Sequence, residues 1–266
     1  MQNQKYQSSS FYIKLSESIQ ILSGIIIFNF AKHECTKKEI ILRNFVARSS
    51  TSLKSIMTLW NLEDYPSAWV INRTIVDRLF HLHYLGENNS YQLFDNWSFY
   101  ENYKYINKVK SDVEFKQYAS GKEYNISKEQ KERSNELSRN KIDWKRPDAQ
   151  AIAKDMDMTF LYKYGYDYAS KFVHPMSDDG LHDFHLITKL EPLPDEQSHI
   201  VVLHNSILVS TMIIQESINQ GSFLWHEVIY DCLEQFRNSL QNGNESYIET
   251  MNEIITSKIE ISRCKI

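Results

Sequence analysis

DMTFLYKYGYDYASKFVHPMSDDGLHDFH, residues 157–185, carries the strongest structural signals in the chain. Asp157 is placed to accept from the free backbone N–H groups that open a helix. Apolar and aromatic residues follow it for four turns. Pro175 disfavours helical geometry at His174 and has no N–H to donate, so it marks a stop. The spacing predicts one helix from Asp157 to His174. At about 3.6 residues per turn, Tyr162, Tyr166, Ser170 and His174 form a slanting polar-tipped row. Leu161, Tyr164, Tyr168 and Phe172 form a greasier row beside it. Gly165 costs roughly 1 kcal/mol against Ala in mid-helix, which a close neighbouring backbone would explain. Asp167 and Lys171 have the spacing and polarity of a favourable i,i+4 ion pair. His174 lies at the negative pole of the helix dipole, which favours imidazolium. It reads either as a cap on the last carbonyls, the more economical reading, or as a group that acts on a substrate.

Working outward, the chain reads as all-α, a multi-helix bundle with no significant sheet. Helices are expected over Phe11–Lys32, Lys37–Trp60, Pro66–Leu85, Tyr91–Val109, Lys128–Arg139, Ala149–Lys154, Leu181–Leu190, His199–Asn219, Phe223–Leu240 and Ser246–Ile261. Apolar residues recur in them at three- and four-residue steps. Gly86 is the expected left-handed residue after the third helix. Ser127 with Gln130 matches a capping box. Residues 191–194, Glu-Pro-Leu-Pro, read as a linker. The organisation is then an N-terminal helical extension (1–39), a core domain (40–190) and a C-terminal extension (191–266). Seven Gly and five Pro in 266 residues argue against a turn-dense β fold.

The third helix carries a polar row at i,i+4 spacing, Arg73, Asp77 and His81, across a wide apolar face. An ion pair from Arg73 to Asp77, continued to His81, suits that geometry.

Composition excludes several classes. The net charge of −4 gives no global attraction to nucleic acid, and Lys122 to Arg146 holds only a mild basic excess. Cys35, Cys232 and Cys264 are far apart and odd in number, which supports neither a zinc knuckle nor a disulfide framework and fits reduced thiols in the cytoplasm. The greasiest window, Ile21–Phe30, is too short to span a bilayer, so no membrane association is expected. No P-loop, dinucleotide fingerprint or nucleophile elbow is present. His174, Asp178, Asp179, His182, Asp183 and His185 cluster in sequence without a metal-ligand spacing, so no metal and no cofactor is expected.

Two segments resemble a bacterial helical family, domain of unknown function 5677. One runs from Ser67-Ala68 through Arg73-x3-Asp77 to Tyr84-Leu85. The other holds Trp144, then Tyr162 to Tyr168, Ser170 and His174-Pro175. The resemblance covers about Ile40 to His185. It is distantly similar to the HEPN-type helical RNases, whose Arg-x(4–6)-His motif has a loose counterpart in Arg78 and His83. That likeness implies a defence or toxin-type effector acting on RNA. His174 would be the general acid or base, with Arg73 and Asp77 completing the catalytic group. Arg73 would hold a phosphate, and Tyr166, Tyr168, Ser170 and His81 would line the ligand site. The competing expectation is a non-catalytic helical module for a protein or small ligand, in which Arg73, Asp77 and His174 are structural. Partners on these readings are RNA or a second protein, and a homodimer falls within both.

Overall fold

The computed structural model describes residues 6–31, 34–118, 121, 124–140, 142, 144–178, 180–190, 199–223 and 225–256. Asp179, Cys264, the linker at 191–194 and the last predicted turn beyond 256 lie outside them. The protein is an all-α bundle, with no strand among the described residues. Its contacts divide it into two compact units, Met1–His83 with Asp148–Ile266, and Tyr84–Pro147.

The core of the first unit is three long helices: α1 (Ser9–Ala31), α2 (Lys37–Asn61) and α10 (Val201–Gln220), which pack on one another. Helix α1 buries Tyr12, Leu15, Ile19, Leu22 and Ile26 as a stripe at three- and four-residue steps. Helix α2 opens on a capping box. Thr36 Oγ1 accepts from the Glu39 N–H at 3.3 Å, and Glu39 Oε2 accepts from the Thr36 N–H at 2.8 Å. These bonds hold the Glu39 carboxyl below the usual carboxylate range. Small residues line the seam: Ser49 Oγ donates to Ser210 Oγ at 3.4 Å between α2 and α10. Ser23 and Ser217 return their hydroxyls to the carbonyls of Ile19 and Ile213 on their own helices. Buried hydroxyls are thereby satisfied without a polar partner helix.

Helix α1 is 23 residues long, so length no longer argues against a membrane span as the ten-residue window did. By length and composition both α1 and α10 qualify for one. In this fold, 67% of the apolar window of α10 and 44% of that of α1 are buried inside the protein. Cys35 and Cys232 are free thiols, and burial pushes the Cys232 thiol up to about 11.

Helix α3 (Tyr65–Glu87) packs Trp69, Ile75, Val76, Leu79, Phe80 and Leu82 inward. Gly86 falls inside it, not after it. The left-handed residue is Asn89, φ 43°, a residue type that tolerates that region. Helices α11 (His226–Asn242) and α12 (Tyr247–Thr256) follow α10, with Gly243 left-handed at φ 70° closing α11.

In the second unit, α4 (Tyr91–Ser111) and α5 (Lys128–Arg139) are joined by Arg133. Its guanidinium donates to Asp95 Oδ2 at 2.7 Å and Asn96 Oδ1 at 3.0 Å, and lies 4.3 Å over the Phe99 ring. The Ser127–Gln130 capping box opens α5, with bonds of 2.8 and 3.2 Å. Trp144 packs on Trp97 at 4.6 Å and Phe94 at 5.2 Å between ring centres.

The single helix expected from Asp157 to His174 is instead interrupted. Helix α6 (Ala149–Asp155) ends in a Schellman motif. The Met158 N–H bonds the Ala153 carbonyl at 2.7 Å, the Asp157 N–H bonds Lys154 at 3.1 Å, and Asp157 itself is left-handed at φ 55°. Asp157 is therefore the residue that closes α6 and not an N-cap. Beyond it come α7 (Thr159–Leu161), a π segment (Tyr162–Asp167) and α8 (Tyr168–Ser170). The chain then turns through Lys171 and Val173 to Pro175. Helix α9 (Leu181–Thr188) lies between two left-handed residues, Gly180 at φ 79° and Lys189 at φ 54°, and buries none of its residues.

Candidate functional site

The π segment is where α3 meets the tyrosine row. Arg73, half-buried on α3, donates from Nε to Ser170 Oγ at 3.0 Å and from Nη2 to Tyr166 Oη at 3.0 Å. Its guanidinium lies 4.3 Å from the Tyr166 ring centre, a cation–π distance. Tyr162 stacks on Tyr166 at 5.4 Å and 18°. Burial, with the negative charges of Asp167 and Asp148, raises the Tyr162 phenol above its ordinary range. Ser170 Oγ–H donates in turn to the Tyr166 carbonyl at 2.9 Å. Both hydrogen bonds of Arg73 therefore leave its helix, where an i,i+4 pair with Asp77 was expected.

Asp77 and His81 form a separate pair. His81 Nδ1–H donates to the Asp77 carbonyl at 2.8 Å and lies 3.7 Å from its carboxylate. Arg78 donates to the carbonyl and hydroxyl of Thr74, both at 3.0 Å. Burial and the nearby charge of Arg48 lower its pKa. His83 faces Glu216 of α10 at 3.5 Å. Arg78 and His83 thus answer to different neighbours and share no site.

Gly165 sits under α3. A Cβ there would stand 3.1 Å from Leu161 Cδ1 and 3.4 Å from Val76 Cγ2. The close neighbours are side chains and not the backbone foreseen. Beside them, fully buried Asn72 donates to the Gly165 carbonyl at 3.4 Å. Its Oδ1 and the buried indole N–H of Trp69 have no hydrogen-bond partner among the described residues.

The polar row reaches Ser170 and stops. His174 falls beyond the last helical turn, exposed, with its backbone N–H on the Ser170 carbonyl at 3.3 Å. Its ring makes no hydrogen bond or ion pair among the described residues, so it is neither a cap nor a partner of Arg73. Tyr168 belongs to an aromatic cluster, 4.9 Å from Trp69, which also stacks on Phe172. Lys171 lies 4.0 Å over the Tyr168 ring and 4.7 Å over Phe172, turning away from the ion pair foreseen with Asp167.

That cluster opens onto a cavity of about 200 Å³. Pro66, Phe172 and Met176 give it apolar wall, and Lys171, Asp178, His182 and Asp183 give it charge and hydrogen-bonding capacity. His182 reaches it from α9 and is held from behind. Its Nε2 lies 2.9 Å from the Glu63 carbonyl oxygen, which can only accept, so Nε2 carries the proton. The ring also contacts Tyr65 at 5.4 Å, and Tyr65 stacks on His199 at 4.8 Å and 19°. Burial, then the neighbouring His182 and Lys171, lower the His199 pKa. Neither Lys171 nor the Tyr65–His182–His199 stack was singled out from sequence as a site. Three contributors far apart in the chain carry no local signal. Among the described residues, no three His, Cys, Asp or Glu side chains are placed to hold a metal ion.

Fold and geometry define an all-α protein with a small mixed-charge cavity at the end of a π-containing segment. The chain belongs to the family described as "Family of unknown function (DUF5677)", whose model matches residues 39–189. That match does not extend to the RNA-cleaving helical class. No curated protein and no solved structure matches the chain.

Proposed function

We propose that this protein is a non-catalytic helical binding module. In it, Arg73, Tyr166 and Ser170 lock α3 to the 159–170 segment, and the cavity beside Lys171 and His182 receives the ligand. The observation that carries this reading is the engagement of Arg73. Two of its five N–H donors and one aromatic face are already engaged inside the fold, whereas a phosphate holder turns its fork of donors towards the ligand. The cavity, by contrast, brings unpaired charges and apolar wall into one small space, as ligand sites do. With its free thiols, the module fits a reducing cytoplasm.

A second reading keeps the RNA-acting effector, with His174 as acid or base. Its support is the solvent access of an unpartnered His174 one turn beyond Ser170, and the π segment nearby, a feature frequent at functional sites. One experiment separates the two. Purified full-length protein and its His174→Ala variant are incubated with end-labelled RNA, and cleavage is followed on gels. The binding-module reading expects no cleavage by either. Cleavage by the parent that the variant loses would overturn it.

A further inference from the structure

The charges in the cavity are not paired with each other. Lys171, Asp178 and Asp183 share its wall, yet no ion pair joins the lysine to either carboxylate among the described residues. Lys171 instead lies against Tyr168 and Phe172. Aromatic faces steady an ammonium without neutralising it, so its full charge remains available to an anion. The two carboxylates make no side-chain hydrogen bond among the described residues, and both remain available to a cation. His182 stands at the same wall with its Nε2 on the Glu63 carbonyl, and its Nδ1 is buried away from the open space. A small space that keeps a cation and two anions apart is the complement of a molecule carrying both signs. Self-paired charges would have cancelled that preference.

Size narrows the class. About 200 Å³ is below the ~300–1,000 Å³ of sites for drug-sized ligands. Pro66, Phe172 and Met176 supply apolar wall for a short side chain. We propose that the cavity binds a free α-amino acid with an apolar side chain. Its carboxylate rests on Lys171 and its ammonium lies between Asp178 and Asp183. This rests on the binding-module reading and names its ligand class.

The test is isothermal titration calorimetry on the full-length protein with leucine, methionine and phenylalanine. Leucine methyl ester, which lacks the carboxylate charge, and 4-methylpentanoate, which lacks the amine, serve as half-ligands. At least one amino acid is expected to bind, and each half-ligand at least about tenfold more weakly, the loss of one charged contact. Lys171→Met should weaken the amino acid by a similar factor and leave the ester unchanged. Asp183→Asn should weaken both the amino acid and the ester and leave 4-methylpentanoate unchanged. Both side chains are exposed, so neither change threatens the fold.

Binding of 4-methylpentanoate as tight as that of leucine would overturn the proposal, as would absence of binding by all three amino acids. Imidazole NMR signals of His182, followed with the same compounds, separate the two levels. If a half-ligand shifts them and no amino acid does, the ligand class is wrong and the binding module stands. If nothing shifts them, both fall.

Discussion

Helices α9 and α10 follow each other along the chain and differ in almost everything they do. Helix α10 buries twelve of its twenty residues, four serines and threonines among them, each closed onto a carbonyl or another hydroxyl. Helix α9 buries none of its eight and presents Leu181, Phe184 and Ile187 to solvent. His182 ties α9 back to the Glu63 carbonyl. Stability is therefore concentrated in α1, α2 and α10, while the cavity is built from weakly held segments. Ligand-binding elements are drawn from that low-stability end, since a site that admits a molecule must open. Helix α9 lies inside the family-matched residues and α10 outside them. The matched segment thus leans on helices beyond its own limits for its core.

The largest effect that tests this contrast is a pair of equal truncations. Ile213→Ala on α10 empties a fully buried site and is expected to cost about 2–5 kcal/mol in urea unfolding. Ile187→Ala on α9, where the side chain is 79% exposed, is expected to stay within about 0.5 kcal/mol. Equal costs would mean that α9 is part of the core after all.

A second test uses acid. His204 on α10 is enclosed by the edges of Tyr6 and Tyr12, and burial lowers its pKa to about 4. The unfolded chain binds that proton from about pH 6.5 downward and the folded chain only near pH 4, so the unfolded state holds more protons between. Stability from this residue is complete above about pH 6.5 and is lost as pH falls towards 4, by roughly 2–3 kcal/mol. His204→Gln should flatten the slope of unfolding free energy in that window. An unchanged slope would show that the ring is already protonated or solvated when folded.

The contrast also explains what could be read from the sequence. Where structure is set by neighbours in the chain, residue types announced it, as Ser127 with Gln130 did for the capping box that opens α5. The meeting of Arg73 with Tyr166 and Ser170 was half legible: both polar rows stood out at four-residue steps, but the sequence paired Arg73 with Asp77 on its own helix, where the structure turns it to the other row. The π segment was not legible. Its bonding reaches one residue further, Tyr168 N–H to the Lys163 carbonyl, and no side chain in Tyr162–Asp167 encodes that choice. It belongs to the fit of Gly165 beneath Val76 and Asn72. Asp157 misled for a related reason. An acidic residue between two helices suits either the end of one or the start of the next, and only the backbone bonds of Ala153 and Lys154 decide. His182 stood out in sequence only as part of a His/Asp cluster without metal-ligand spacing, because its partners at Glu63, Tyr65 and His199 are remote in the chain.

Between core and cavity stands Arg73, and its loss should fall between theirs. Arg73→Met keeps the aliphatic stem and removes two hydrogen bonds and the contact with the Tyr166 face. Thermal and urea unfolding should show a loss of about 2–3 kcal/mol. Arg73→Lys should recover only part of it, since a single ammonium does not reproduce a planar fork aimed at two oxygens. An unchanged stability in Arg73→Met would show that the guanidinium is not a structural lock and would favour the RNA-acting reading.

The smallest effect is expected at His174. Its ring is exposed, lies past the last turn of α8 and has no partner among the described residues. A helix cap is worth about 0.5–2 kcal/mol, so a capping role would be visible in unfolding. His174→Ala is expected to leave stability within about 0.5 kcal/mol. It should also leave the amino-acid affinity of the cavity unchanged, because the lining residues nearest it in sequence are Phe172 and Met176 and His174 is not among them. A cost above about 1 kcal/mol would restore the cap. A loss of binding with stability intact would add His174 to the ligand site between Phe172 and Met176, and the boundary drawn between the Arg73 node and the cavity would have to move.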